Sequence, residues 1–281
     1  MQGRTIVITG ATSGIGQVAA ERLAQQGAKL ILVGRDRARG EATLARIRAA
    51  APGADLRIVY GDLQRLSEMK RVAAEIAALA PRIDVLINNA GSMYGAREVT
   101  PDGLERTFAT NHMAYFVVTN ALLPNLKAAG NARIVSTASD AHLRQSLDFD
   151  DLQSARSYSS MRVYGRSKLA NILFTRELAR RLAGSNVTAN CLHPGLVATR
   201  FGSSNGPLMR AAIKLVTTLG GISPEDGAKT IVYLASSPEI EGKSGGYYYK
   251  NRIKAPSRQA QDDASAARLW AESEKIAGMA A

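Results

Sequence analysis

A doubly wound α/β architecture, a mainly parallel seven-stranded sheet with helices on both faces, is what this chain predicts, and three observations carry the prediction. Short β-branched runs alternate with amphipathic helical stretches along most of the 281 residues, the pattern of a parallel sheet joined by crossover helices. The runs are almost uninterrupted apolar segments, as strands buried on both faces must be. The first of them leads directly into a glycine-rich turn ahead of a strong helix pattern.

In order, TIVIT (5–9) reads as the first strand and 15–26 as the first helix. KLILV (29–33) is the second strand, followed by a helix at 37–50. DLRIVY (55–60) precedes a helix at 64–79, and DVLI (84–87) precedes a long helix at 101–128. ARIVST (132–137) leads to a helix at 160–183, VTANCL (187–192) to one at 224–235, and GGYYY (245–249) closes the sheet. Without an internal repeat, linker or low-complexity tract, a single domain over 1–281 is expected.

Two segments interrupt the rhythm, 140–160 and 198–222. Each follows the carboxyl end of a strand, where open α/β sheets bind ligands. Within the second, PLMRAAIKLVTTL (207–219) places Leu208, Leu215 and Leu219 near one helix face. The expectation is a lid over an apolar substrate pocket, with a membrane-surface contact as the alternative.

The net charge of +12 raises the question of a nucleic-acid partner. The arginines are scattered over amphipathic helices and few aromatic residues interleave with them, so solvated helix faces are the simpler reading. No nucleic acid is expected. A single cysteine, Cys191, excludes an internal disulfide framework and fits a reducing compartment. No apolar run approaches the ~18 residues of a membrane span, and the first strand begins too early for a signal peptide. A cytoplasmic chain without a transmembrane segment is expected.

The turn after the first strand is TGATSGIG (9–16), with Gly10, Gly14 and Gly16 spaced G-x-x-x-G-x-G. Glycines there permit a tight turn and close backbone approach, and the following helix N-terminus can receive a pyrophosphate. A dinucleotide site is the reading. At the end of the second strand an acceptor for a free ribose 2′-hydroxyl would be acidic. This chain instead has Gly34 and then Arg35, a guanidinium suited to a 2′-phosphate. Asp36 lies one residue further into the loop. NADP(H) is expected in preference to NAD(H).

In VYGRSKLANILF, Tyr164 and Lys168 are four residues apart on a helical stretch and share one face. A tyrosine with an ordinary pKa near 10 is a poor proton carrier at neutral pH. A neighbouring ammonium stabilises phenolate, which is the reason to want Lys168 one turn away. Ser139, at the end of the fifth strand, can hydrogen-bond a substrate oxygen. Asn111 lies in the fourth helical segment, within TNHMAYF.

Taken in order, TGATSGIG, GDL (61–63), NNAG (88–91), the asparagine of TNHMAYF, the strand-end serine, YGRSK (164–168) and HPGLVAT (193–199) resemble the short-chain dehydrogenase/reductase family over about 5–278. The segment FDDLQSARSYSSMRVYGRSKLANILFTRELARRL, and GAKTIVYLAS, SGGYYY and ARLW in the tail, resemble its retinol dehydrogenase-like branch, which includes light-dependent protochlorophyllide reductases. The 25-residue separation of Ser139 and Tyr164 also resembles that branch.

The resemblance implies a Rossmann fold in which Tyr164 is the general acid–base and Lys168 its activator and ribose anchor. It implies that Ser139 polarises the substrate carbonyl and that Asn111 holds a water in a relay to Lys168. Gly10, Ser13, Gly14, Ile15 and Gly16 would cradle the pyrophosphate. Asp62 and Leu63 would border adenine, and Asn89, Ala90 and Gly91 the adjacent backbone and ribose. Pro194, Gly195, Val197 and Thr199 would seat the nicotinamide carboxamide. The implied activity is hydride transfer between a nicotinamide cofactor and an alcohol or carbonyl group. With NADP(H) read from Arg35 and an apolar lid expected, reduction of a fairly apolar carbonyl substrate is the expected direction, because cellular NADP(H) pools run reduced. A non-catalytic NADP-binding regulator or redox sensor is the alternative. Relatives associate through long helices and the last strand, which makes a homodimer or homotetramer the expected assembly.

Departures from the pattern are Ala138, where a second serine is usual, and Ala114, where a glycine often stands. Leu196 follows Pro-Gly where protochlorophyllide reductases have cysteine. His112, His142 and His193 lack metal-ligand spacing, so no metal is expected. His193 is read as a backbone support, Cys191 as packing and Trp270 as an anchor for the tail.

Overall fold

The computed structural model describes residues 1–197 and 221–279. Among the described residues eight strands form one sheet, in the order β3-β2-β1-β4-β5-β6-β7-β8. They are β1 (Thr5–Thr9), β2 (Lys29–Gly34), β3 (Leu56–Tyr60), β4 (Val85–Asn88), β5 (Ala132–Thr137), β6 (Val187–Leu192), β7 (Tyr247–Tyr249) and β8 (Arg252–Ile253). All pairings through β7 are parallel. The strand order reverses between β1 and β4, which opens a crevice at their carboxyl ends.

The helices are α1 (Gly14–Gln25), α2 (Arg37–Ala50), α3 (Leu66–Leu79), a single turn α4 (Arg106–Phe108), α5 (Ala114–Ala128), α6 (Ser160–Arg181), α7 (Pro224–Ser236) and α8 (Asp263–Ala277). Alternation of side chains along each strand divides the apolar core between the two sheet faces. Ile6, Ile8, Leu30 and Leu32 pack with Leu23 of α1, Ile47 of α2 and Ile231 of α7. Val7, Ile31 and Val33 belong to the other layer, with Val72 of α3, Phe116 of α5, Phe174 of α6 and Trp270 of α8. The Trp270 ring lies 4.9 Å from that of Phe116 and stacks 5.8 Å from that of Phe174, so the tail is anchored as expected.

Two expectations need correction. The sheet has an eighth strand: β8 pairs antiparallel with β7, and Tyr249 faces Arg252 across a two-residue turn. Its central residues, Lys250 and Asn251, both have positive φ, the backbone of a type I′ hairpin. Lys-Asn lacks the glycine that usually announces this turn. The long helix expected at 101–128 starts only at Arg106, where the buried Glu105 carboxylate accepts from the amides of Thr107 and Phe108. It then passes through a π-turn, Ala109–Met113, before α5 begins. The wider turn changes which residues face the crevice, and apolar periodicity does not register it.

The lid expected at 207–219 lies outside the described residues. Among the described residues no helix is long and apolar enough to cross a membrane.

Candidate active site

Each glycine of the turn after β1 has its own physical reason. Gly10 and Gly14 have φ of +66° and +55°, conformations costly for any residue with a Cβ. A Cβ on Gly10 would also sit 2.7 Å from Ala90 Cα, and one on Gly16 would lie 2.5 Å from the Gly10 carbonyl oxygen. The turn is stitched to the end of β4. Asn89 Nδ2 donates to the carbonyls of Thr9 and Gly10, while Thr9 Oγ1 accepts from the amides of Asn89 and Ala90.

Ser13 stands at the N-cap of α1, but its side chain caps nothing, and the first turn carries no acidic residue. The leading amides of α1 and the positive end of its dipole therefore remain available to an anion. Ser13 is exposed and Ile15 half-buried.

At the end of β2, Arg35 is exposed and its Nη1 lies 3.8 Å from Asp62 Oδ1. The Asp36 carboxylate accepts from the Arg39 amide and caps α2. Leu63 is buried next to Asp62.

The four residues expected to carry proton chemistry come from three elements and converge beyond β4 and β5. Lys168 on α6 is buried, and its Nζ donates to the carbonyl of Thr137 at 2.9 Å. The same nitrogen lies 5.6 Å from the centre of the Tyr164 ring and 5.8 Å from that of Tyr115. The Ser139 side chain lies close enough to the Tyr164 phenol to favour its charged form. Ser139 caps a 3-10 turn, Asp140–His142, accepting from the Ala141 amide.

The fully buried Asn111 sits in the π-turn. Its Oδ1 accepts from Ser92 N, and its Nδ2 donates to the Ser92 carbonyl and to Ser167 Oγ. Gly91 lies where a Cβ would be 3.2 Å from Asn111 Oδ1 and 3.5 Å from Lys168 Nζ. Gly91 thus stands between the asparagine and the lysine.

One electrostatic expectation is reversed. Burial pushes the Tyr164 phenol up to about 12, with the Ser139 hydrogen bond opposing it. Burial also pushes the Lys168 ammonium down to about 7. In this geometry desolvation of both groups outweighs the stabilisation of phenolate that the sequence spacing suggested.

Beyond β6, Gly195 has φ +97°, and a Cβ there would press on Ile222 Cδ1 at 2.5 Å. Val197 forms a parallel bridge with Ile222, and Pro194 is half-buried. Thr199 lies outside the described residues. Cys191 is buried, and burial pushes its thiol up to about 12, as packing requires. Among the described residues no cluster of His, Cys, Asp or Glu could hold a metal ion.

Several participants escaped sequence reasoning: the Thr137 carbonyl, Ser92, Ser167, Tyr115 and Asp140. Backbone acceptors carry no sequence signal. Tyr115 has only its position one turn beyond Asn111, and Asp140 only its adjacency to Ser139.

A family model described as short chain dehydrogenase matches residues 4–207. The chain is 42% identical to mouse (Mus musculus) retinol dehydrogenase 14 over 291 residues, covering 99% of this chain and 87% of the relative. It resembles the crystal structure of a protein from Mycobacterium Paratuberculosis with a TM-score of 0.80 and 34% identity, over 99% of this chain and 94% of that one. It also resembles the Pseudomonas aeruginosa RhlG/NADP active-site complex, with a TM-score of 0.70 and 26% identity, over 92% and 97% of the two chains.

Proposed function

The chain belongs to the short-chain dehydrogenase/reductase family, in its retinol dehydrogenase-like branch, and from that premise we propose that it is an NADP(H)-dependent carbonyl reductase acting on a small, fairly apolar aldehyde or ketone. It is an oxidoreductase of alcohol and carbonyl groups that uses a nicotinamide cofactor. The preference for NADP(H), the reductive direction, the substrate and the residue roles are our reading.

The observation that carries it is the convergence of Tyr164, Ser139 and Lys168: a phenol whose charged form the Ser139 side chain favours, with the buried Lys168 nitrogen 5.6 Å from the centre of the same ring. The residues of the crevice suit a nicotinamide dinucleotide. Gly10 and Gly16 leave no room for a Cβ, Gly14 has positive φ, and the α1 amides behind the turn lack a side-chain cap. Asn89, Ala90 and Gly91 form the facing wall. Pro194, Gly195 and Val197 would seat the nicotinamide amide. When bound, the cofactor supplies the hydride.

Tyr164 holds the proton that the substrate oxygen must receive, and its high pKa keeps the phenol protonated near neutral pH. Ser139 donates a second hydrogen bond to the same oxygen, so the charge developing there meets two fixed donors. Lys168 is anchored on the Thr137 carbonyl and would hold ribose hydroxyls. Asn111 faces the gap beside Gly91, where one water would link it to Lys168 and return a proton to Tyr164.

Arg35 supports NADP(H), because it is the exposed cation at the end of β2 while Asp36 is committed to capping α2. Exposed Leu143 and Leu196 follow Ser139 and Gly195 on their loops. They support an apolar substrate.

Oxidation of NADPH and NADH by a panel of aldehydes and ketones, followed optically for wild type and Tyr164→Phe, tests the proposal. Expected is an NADPH-dependent rate that falls roughly 10²–10⁴-fold in the variant while NADPH still binds. A variant as fast as wild type would remove Tyr164 from the chemistry. Tight NADPH binding without turnover across the panel would favour a regulator or sensor.

A further inference from the structure

We propose that Asp140 is a positioning residue, its carboxylate fastening the Ser139 turn to the Pro194–Gly195 segment and to β7. This rests on the roles proposed above for Ser139 and the loop beyond β6. Asp140 Oδ1 accepts from the Tyr247 hydroxyl at 2.8 Å. Its Oδ2 accepts from Lys254 Nζ at 2.6 Å and lies 3.2 Å from His193 Nε2. Burial opposes the charge, yet donation from Lys254 and Tyr247, with His193 alongside, holds the carboxyl below its ordinary value.

The backbone assigns the tautomer of His193. Its Nδ1 accepts from the amides of both Asp140 (3.3 Å) and Gly195 (3.4 Å), so it carries no proton. The proton is on Nε2, which lies 3.2 Å from Asp140 Oδ2. Burial holds the imidazole neutral, down to about 4. One ring therefore bridges the residue after Ser139 and the glycine of the loop proposed to seat the nicotinamide, and it stacks 4.9 Å from Tyr249.

A second tie acts on Ser139 itself. His142 Nδ1 donates to the Ser139 carbonyl at 2.7 Å, and its Nε2 accepts from the Ser257 amide at 3.1 Å. The Ser139 turn is thus held to the 247–257 segment from two sides. Hydride transfer needs substrate oxygen and nicotinamide carbon placed within a fraction of an ångström, and a 1 Å error costs ~100-fold in rate. Asp140 meets His193 twice: its amide donates to Nδ1, and its carboxylate lies 3.2 Å from Nε2.

The test compares wild type, Asp140→Ala and Asp140→Asn. Asparagine can still offer one oxygen to Lys254 and His193 but loses the charge, so it should rescue partly. For Asp140→Ala, kcat should fall about 10–100-fold, while NADPH affinity stays within about threefold. The isotope effect with NADPH deuterated at the nicotinamide C4 should rise, as hydride transfer becomes slower than the other steps. A purely structural role would lower the rate only in proportion to the folded fraction and leave the isotope effect unchanged, and that outcome overturns the proposal.

Nitrogen-15 NMR of His193 provides a readout independent of turnover. In wild type near neutral pH the ring should be neutral with its proton on Nε2, and Asp140→Ala, which keeps both amides, should retain that tautomer while shifting the Nε2 resonance as the carboxylate beside it is lost. A wild-type His193 protonated on Nδ1 overturns the proposal even in an active enzyme. If wild type turns over no carbonyl but the NMR result holds, the function reading fails and the Asp140–His193 link stands.

Discussion

Asn111 grips Ser92 through both backbone groups: its Oδ1 accepts from the Ser92 amide at 2.8 Å and its Nδ2 donates to the Ser92 carbonyl at 2.9 Å. The side chain thereby imitates a neighbouring strand for the segment that leaves β4. It is fully buried and also donates to Ser167 Oγ on α6. A loop, the π-turn and the helix carrying Tyr164 are joined at one amide.

Asn111→Ala would leave the amide and carbonyl of the half-buried Ser92 without their side-chain partner, at up to about 1–3 kcal/mol for each group that water does not reach. A loss of about 2–4 kcal/mol in urea unfolding is expected. Asn111→Asp should lose less, because it keeps the acceptor for Ser92 N. Equal stability of Asn111→Ala and wild type would show that the clamp contributes nothing.

Gly91→Ala should disturb the site more than the fold. The added methyl would lie 3.2 Å from Asn111 Oδ1 and 3.5 Å from Lys168 Nζ, in the gap proposed to hold the relay water. The expected result is a kcat lowered by about tenfold or more with a melting temperature within a few degrees of wild type. Unchanged kcat would dispose of a relay through this gap.

Lys168 should leave a signature in stability against pH. Its folded value, about 7, lies below the unfolded value of ~10.4. Between these the unfolded chain binds the extra proton, so stability from this group rises with pH, by at most ~1.4 kcal/mol per unit. Tyr164 acts oppositely at higher pH: with a folded value of about 12 against ~10 unfolded, its contribution falls above about pH 10. In Lys168→Met the rise between about pH 7 and 10 should disappear, as measured by urea unfolding across that range. Parallel curves for the two proteins would mean that Lys168 is not desolvated.

Arg35→Ala should raise KM for NADPH by about 10–100-fold, matching ~1.5–3 kcal/mol for a hydrogen bond to a charged group. KM for NADH should change by less than about threefold. The Arg35–Asp62 pair is exposed, with 3.8 Å between its charges, so its loss should cost little stability. Steady-state kinetics with both cofactors decides it, and an equal effect on the two would assign the 2′-phosphate to other residues.

Local patterns made much of this protein legible. The apolar strand runs announced a parallel sheet because burial on both faces leaves few places for polar side chains. Gly10, Gly14 and Gly16 announced the turn after β1 because the positive φ of the first two and the close packing at Gly10 and Gly16 favour glycine. The Tyr164–Lys168 spacing became one helix face because α-helical geometry places such residues a turn apart.

Tertiary structure alone decided the rest, because burial and long-range contact have no local signature. The spacing of Tyr164 and Lys168 suggested a stabilised phenolate, but enclosure by β5, α5 and α6 raises the phenol and lowers the ammonium instead. The π-turn that aims Asn111 at Ser92 is invisible to apolar periodicity, as is the Lys250–Asn251 hairpin that adds β8. Asp140 meets Tyr247 and Lys254 from more than a hundred positions away. Residue type and spacing determined which groups can do the chemistry, while the packed sheet determined their charge and their partners.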